Sequence, residues 1–506
     1  MGFTVTSAFK WWVRDHPGRL ALDYDGEEVT YAELYAWAAR VAANLVESGV
    51  KPGDRVSAFG INSLEYAVLI LGVMLAGGIT APLSFRSSVR ELKRGLGTLQ
   101  PALLFCDEER AAFAREAIGN DATPKLRSLS EIRPLRNAPA PRTDQLHDPQ
   151  PDEPLFIIGT SGSTGDPKGV IYSHRSTMAY AAEFAIMQPR CGNGGSILST
   201  GPYSSASGTL LLMQFLATGA TTYAQSRFTP ERALQLLQEK KITTFLASVI
   251  FFERIAALPE FEHADLSTIA FAQISGARVN PALLARYRER GVVLRQAYGS
   301  TEAGGAWAAR DATAVSQPEK SGPGAMFTEF AIKAENGGFA PAGVAGEILI
   351  RSAGLATGYW NSEAATREAF RDGWLHTGDL GVLDERGNLT FIDRLKDIII
   401  SGGLNISAME VESVIAEVAG VKEVVVLPAK DAQFGETPLA VVHGDPDRIS
   451  IPAIVEYCNA HLSNYKVPRY VAVESEPLPR LASGKISKIP LREKYKDAHT
   501  FLTKVR

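Results

Sequence analysis

The chain has 506 residues, 45% of them hydrophobic and 21% charged, so it is globular and too long for one hydrophobic core; two or more domains are expected. A formal net charge of -4 gives no reason to expect nucleic acid or an anionic lipid surface as a partner. Cys106, Cys191 and Cys458 are odd in number and far apart, which fits a reducing, cytoplasmic setting and offers no disulfide or metal spacing.

Met1 to Arg14 lacks the apolar stretch of a signal peptide, and Met1 to Thr6 matches an N-myristoylation pattern too short to carry weight. Leu34, Ala38, Val41, Ala42 and Leu45 recur at helical spacing, which predicts a helix over 31–48, and a strand follows over 54–59. Residues 66–82 form the most apolar run, but it falls short of the ~20 residues of a spanning helix and ends in glycines. It reads as a core helix plus a turn, with no transmembrane segment expected.

Helix and strand alternate through residue 107, the pattern of an open sheet covered by helices. Pro134, Pro139, Pro141, Pro149, Pro151 and Pro154 predict an extended connector over 133–154. Alternation resumes at Leu155, with helices over 230–240 and 281–290 and strands over 243–247 and 292–297. Beyond residue 340, Gly-rich turns and short strands over 346–351 and 389–393 precede a helix over 410–419, a strand over 423–427 and a helix over 454–462.

Residues 159–169 read Gly-Thr-Ser-Gly-Ser-Thr-Gly-Asp-Pro-Lys-Gly, directly after Leu155-Phe156-Ile157-Ile158. Glycines let backbone N–H groups approach an anion, hydroxyls add donors and Lys168 adds positive charge, so this is the composition of a phosphate cradle. Asp166-Pro167 precedes Lys168, and the Gly-Lys-Ser/Thr ending of a Walker A loop is missing. A Ser/Gly surface loop has the same composition. The loop is, however, the first of a series: Tyr298-Gly299-Ser300-Thr301-Glu302, Thr377-Gly378-Asp379, Asp393-Arg394-Leu395-Lys396-Asp397 and Gly484-Lys485 follow in order.

Together these motifs resemble the adenylate-forming superfamily of acyl-CoA synthetases, peptide-synthetase adenylation domains and firefly-type luciferases, from Thr30-Tyr31-Ala32-Glu33-Leu34 to Lys485. The resemblance implies an α/β fold. A large N-terminal adenylation domain of several subdomains with helix-covered sheets (residues 1–395) would carry a small α+β C-terminal lid (residues 396–506) hinged at Lys396. It also implies an ATP-dependent carboxylate–CoA ligase acting through an acyl-adenylate, with Mg²⁺ as metal and coenzyme A as co-substrate. Self-association into a homo-oligomer stays open.

By the same resemblance, Thr160, Ser161, Gly162, Ser163, Thr164, Gly165 and Lys168 hold the β- and γ-phosphates, and Glu302, after Thr301, is the Mg²⁺ ligand. Ser275-Gly276-Ala277 and Tyr298, continued by Gly299 and Ser300, form the adenine strip, a core aromatic at a strand end being the lesser alternative for Tyr298. Asp379, in a tight turn, would accept from both ribose hydroxyls, with Arg394 on the ribose or phosphate. Lys485 would reach the carboxylate and α-phosphate during adenylation, joined by Thr160, Lys168 and Glu302 as the catalytic set. Ser401-Gly402-Gly403 would swing toward the pantetheine arm for thioester formation. His174, after Ser173, reads as a structural residue at a helix start.

The acid pocket is assigned by resemblance to Tyr203, Ser204, Ser205, Val249, Gly276, Gly304 and Ala306. Ser205 stands where family members often carry a His. The segment Pro202-Tyr203-Ser204-Ser205-Ala206-Ser207-Gly208 has no Asp to pair an α-ammonium, and 247–251 and 304–307 have no cation for a second carboxylate. An unpaired charge in a closed pocket is costly. A neutral acid with an apolar tail follows, a medium or long fatty acid or a bulky cyclic one. Loading of an acyl carrier protein shares every motif; a non-catalytic nucleotide-binding protein should have lost Lys485 or Glu302.

Overall fold

The computed structural model describes residues 2–121, 123–141, 146–160, 168–275, 279–304, 306–334, 336–480 and 486–506. Residues 161–165, Gly276, Ala277 and Lys485 therefore lie outside the described residues. The chain divides into two compact units. One comprises Met1–Phe330, Leu349–His376 and Arg386–Leu389; the other comprises Ala331–Ile348, Thr377–Glu385 and Thr390–Arg506. The second thus gathers segments from before residue 396 as well as after it.

The first unit is α/β, built on two largely parallel sheets. In one, Leu294–Gly299, Phe271–Ser275, Thr244–Ser248, Ser196–Ser199, Thr221–Ala224 and Leu20–Tyr24 run parallel in that order, with Ala306–Ala308 and Glu27–Thr30 antiparallel at its edges. The other orders Gly358–Tyr359, Lys168–Ser173, Pro154–Thr160, Ile79–Thr80, Arg55–Phe59, Leu103–Cys106 and Lys125–Ser128.

Local sequence explains the covering helices. Thr30 and Glu33 form a capping box that starts Tyr31–Glu47, whose Leu34, Ala38, Val41, Ala42 and Leu45 are buried. Leu64–Leu75 is buried along its whole length, as a helix apolar on every side must be. Among the described residues no helix is long and apolar enough to cross a membrane. The three thiols are buried, and burial pushes those of Cys106 and Cys458 up to about 11.

The connector over 133–154 is not extended throughout. Residues Leu129–Asn137 form a 3₁₀ helix that includes Pro134, started by a capping box of Ser128 with Glu131. Ile132 is buried there, and its carbonyl accepts from Trp37 Nε1 at 2.9 Å. A cap and one tertiary anchor outweigh the preference of proline for extended chain.

His174 opens the helix His174–Met187, capped by Ser173, and is only 3% exposed with its Nδ1 unpartnered among the described residues. Burial holds this imidazole down at about 4, below the 6.5 of an exposed histidine. Between those values the unfolded chain binds a proton that the folded chain refuses. Stability from this group is therefore complete above pH 6.5 and falls by roughly 1.4 kcal/mol per pH unit toward pH 4. Between pH 7.5 and pH 5 the parent should lose about 2 kcal/mol more than His174→Asn in urea unfolding. Equal losses would show that His174 does not titrate as its burial requires.

In the second unit, Leu404–Ser407, Ile398–Ser401, Gly435–Gly444 and Val421–Asp431 form an antiparallel sheet, with Tyr470–Glu474 parallel to Gly435–Gly444. The helices Ala408–Ile415 and Ile451–His461 cover it, burying Val411, Ile415, Ile454 and Cys458. The first ends four residues earlier than the spacing predicts, before Gly420 at φ +93°.

Candidate active site

Four site residues of the first unit stand at or just past the carboxyl ends of its strands. Thr160 ends Pro154–Thr160, Ser275 ends Phe271–Ser275, Gly299 ends Leu294–Gly299, and Val249 follows Thr244–Ser248 directly. Open α/β sheets bind ligands at that end, because loops and helix N-termini converge there.

Thr160 and Lys168 face each other across an antiparallel pair, so the two ends of the phosphate-loop motif are held together. Thr160 Oγ1 donates to the Lys168 carbonyl at 3.3 Å. The Lys168 ammonium lies 4.9 Å from the ring centroid of Tyr359. The phenol of Tyr359 in turn donates to Glu302 Oε1 at 2.9 Å. Lys168 and Glu302, far apart in sequence, thus share one aromatic neighbour.

Ser300 Oγ accepts from Ala303 N at 3.3 Å, and Tyr172 donates its phenol to the Thr301 carbonyl. Gly304 completes this turn at φ +81°, where an added Cβ would stand 2.0 Å from the Gly354 carbonyl oxygen. Only glycine fits. Tyr298 is 6% exposed, edge-on to Phe330 at 6.2 Å. Ala306 starts the strand that pairs back on Tyr298.

Glu302 suits a magnesium ion. Its Oε1 is taken by Tyr359, while Oε2 has no partner among the described residues. No cluster of three or more His, Cys, Asp or Glu capable of metal binding occurs among the described residues. A lone carboxylate is what Mg²⁺ needs when phosphates and water supply its other oxygens.

The acid-side residues behave differently from one another. Tyr203 is 1% exposed, its ring edge-on to Tyr66 at 5.3 Å, and Val249 packs in the core beneath its helix. Ser204 and Ser205 are half-buried. Ser205 donates both N–H and Oγ–H to the Pro202 carbonyl, at 2.9 and 2.8 Å. Thr209 Oγ1 donates to the Tyr203 carbonyl at 2.6 Å, and Asn62 accepts from Tyr203 N at 2.8 Å. Ser205 and Thr209 thus spend their hydroxyls on carbonyls of the turn itself.

In the second unit Asp379 lies within the strand Trp374–Leu383, not on a tight turn; Gly378, at φ +69°, distorts the strand there. Asp379 N donates to Thr377 Oγ1 at 3.1 Å, and Arg394 Nε is 3.8 Å from Asp379 Oδ1. Lys396 is flanked by two anchored carboxylates. Asp393, 2% exposed, accepts from Ser407 Oγ at 2.6 Å and Met409 N at 2.9 Å. Asp397 pairs with Arg492 at 2.7 Å and Lys488 at 3.8 Å. Burial first, then the Arg394 charge, hold the Lys396 ammonium below its usual range. Ser401, 6% exposed, faces Leu404 across a two-residue turn in which Gly402 and Gly403 have φ +59° and +83°. Such a turn requires positive φ at both positions.

Tyr172, Tyr359, Asp393 and Asp397 were not singled out as contact makers by the sequence. Asp393 and Asp397 stand in a motif; Gly358-Tyr359-Trp360 carries no spacing signal at all.

The sequence model of the AMP-binding enzyme family matches residues 9–360, and that of the AMP-binding enzyme C-terminal domain matches residues 410–485. A feruloyl-CoA synthase of Amycolatopsis sp is 32% identical over 490 residues, 95% of this chain and 97% of that protein. A long-chain-fatty-acid–CoA ligase of Mycobacterium tuberculosis is 32% identical over 474 residues, 92% and 93% of the two chains. Among solved structures, the o-succinylbenzoate CoA synthetase of Bacillus subtilis with its acyl-adenylate intermediate superposes with a TM-score of 0.87 at 27% identity, over 97% of this chain and 98% of that one. Fold, motif order and near-complete coverage coincide, and the chain belongs to the AMP-binding enzyme family of adenylate-forming ligases.

Proposed function

We propose that the chain joins a neutral, apolar carboxylic acid to coenzyme A, using ATP and releasing AMP and pyrophosphate through an acyl-adenylate. The reaction class is that of its curated relatives, which are CoA ligases. The nature of the acid rests on one observation: the turn over 202–209 carries no charged side chain, and the hydroxyls of Ser205 and Thr209 donate to its own carbonyls. No charged group there would meet an α-ammonium or a second carboxylate, and burying either alone is costly.

On this reading Thr160 and Lys168 bind the polyphosphate, Glu302 holds Mg²⁺ through its free oxygen, and Asp379 with Arg394 takes the ribose. Mg²⁺, when bound, supplies charge neutralisation at the phosphate oxygens. The protein's own work is to hold two anions in line for attack at the α-phosphorus. Lys485 enters for that step and the Ser401-Gly402-Gly403 turn serves the thiol afterwards. Residues 1–395 act as the adenylation domain and 396–506 as the lid. Three unpaired, buried cysteines support a cytoplasmic setting.

Pyrophosphate exchange into ATP tests the reading, run with fatty, aryl, amino and dicarboxylic acids and followed by thioester assay with coenzyme A. Exchange should depend on Mg²⁺ and on a fatty or aryl acid. Release of ADP and phosphate, or exchange driven by amino acids alone, would overturn it. Thioester formed with a carrier protein but not with coenzyme A would replace the acceptor.

A further inference from the structure

Residues 356–360 tie the phosphate-loop strand to the turn that bears Glu302. Tyr359 pairs with Val170 and Gly358 with Ile171, across the strand that begins at Lys168. Trp360 N donates to the Gly169 carbonyl at 2.7 Å, and Ala356 N donates to the Glu302 carbonyl at 3.0 Å. The Tyr359 backbone is itself fixed, its N–H donating to Thr366 Oγ1 at 2.9 Å. A rigid strand therefore presents the phenol that meets Glu302 Oε1 at 2.9 Å.

We infer that Tyr359 is a positioning residue for the metal: its hydroxyl locks the Glu302 carboxylate so that Oε2 alone is offered to Mg²⁺, at a fixed place beside Lys168. The inference rests on the reading of Glu302 as the metal ligand. A free carboxylate rotates and must lose that freedom on binding metal; here the hydrogen bond removes it beforehand. Outer partners of this kind are worth about 10–100-fold in metal affinity. Lys168 lies over the face of the same ring, its ammonium 4.9 Å from the centroid.

The test measures metal binding directly. Mn²⁺, a paramagnetic substitute, is titrated into the full chain with an α,β-methylene ATP analogue that cannot be adenylated, and free Mn²⁺ is read by electron paramagnetic resonance. Tyr359→Phe keeps the ring under Lys168 and should weaken Mn²⁺ about tenfold, with metal-free nucleotide affinity and melting temperature unchanged. Tyr359→His, which returns an N–H donor, should recover part of the loss. A Tyr359→Phe curve that overlays the parent while Glu302→Gln is weakened overturns the positioning role and leaves Glu302 as ligand. A Glu302→Gln curve that overlays the parent removes Glu302 from the metal, and Tyr359 with it. Equal weakening of metal-free nucleotide in Tyr359→Phe assigns the tyrosine to the fold instead.

Discussion

Lys485→Ala should slow adenylation by about 10²–10³-fold, the usual cost of removing one preorganised partner of transition-state charge. Pyrophosphate exchange reads this step alone. Thioester formation from supplied acyl-adenylate should stay near the parental rate, because the phosphate being expelled is then AMP and the thiol needs no second cation at that place. Within Leu478–Ser487 the flanks are held: Leu478 N donates to Glu423 Oε2 at 2.7 Å, and Ser487 N to the Pro479 carbonyl at 2.6 Å. The alanine variant should therefore melt like the parent. Equal loss of both half-reactions would make the lysine structural and remove the separation of the two steps.

Lys396→Pro should have the opposite profile. Asp393 accepts from Ser407 and Met409, and Asp397 pairs with Arg492 and Lys488; all four partners lie beyond residue 396, so a turn at Lys396 has to release the Asp393 bonds while the Asp397 pairs travel with the lid. Proline fixes φ near −65° and restricts the preceding residue, here Leu395. If the hinge turns at Lys396, adenylation persists while thioester formation falls by about 10²-fold or more, since a misplaced acceptor loses at least that much. Both half-reactions are to be timed separately on a variant whose melting curve matches the parent. Thioester formation at the parental rate would move the hinge, and the proposed boundary at 395/396, away from this residue.

Much of the first unit was legible because its signals are local. The Thr30–Glu33 box and the apolar face of 31–48 specify a helix without help, and the helices over 230–240 and 281–290 fall within a residue or two of their expected ends. Where a local signal competed with a distant partner it failed. Prolines predicted an extended connector, but Trp37 and the Ser128 cap made Leu129–Asn137 helical. Thr377-Gly378-Asp379 reads as a turn in isolation; strand pairing carries it through as a distorted strand.

Sequence by itself determined the α/β class, the family and the chemical inventory, since residue types and their order along the chain suffice for these. Only the tertiary structure decided which of those residues act on one another. Tyr359 reaches Glu302 across 57 residues, Tyr172 reaches Thr301 across 129, and Arg492 reaches Asp397 across 95. Each meeting is set by strand register and by the packing of helices on sheets, and no pattern within a single segment encodes either. Ser205 and Thr209 make the same point at short range, where backbone geometry turns their hydroxyls onto carbonyls of the turn over 202–209.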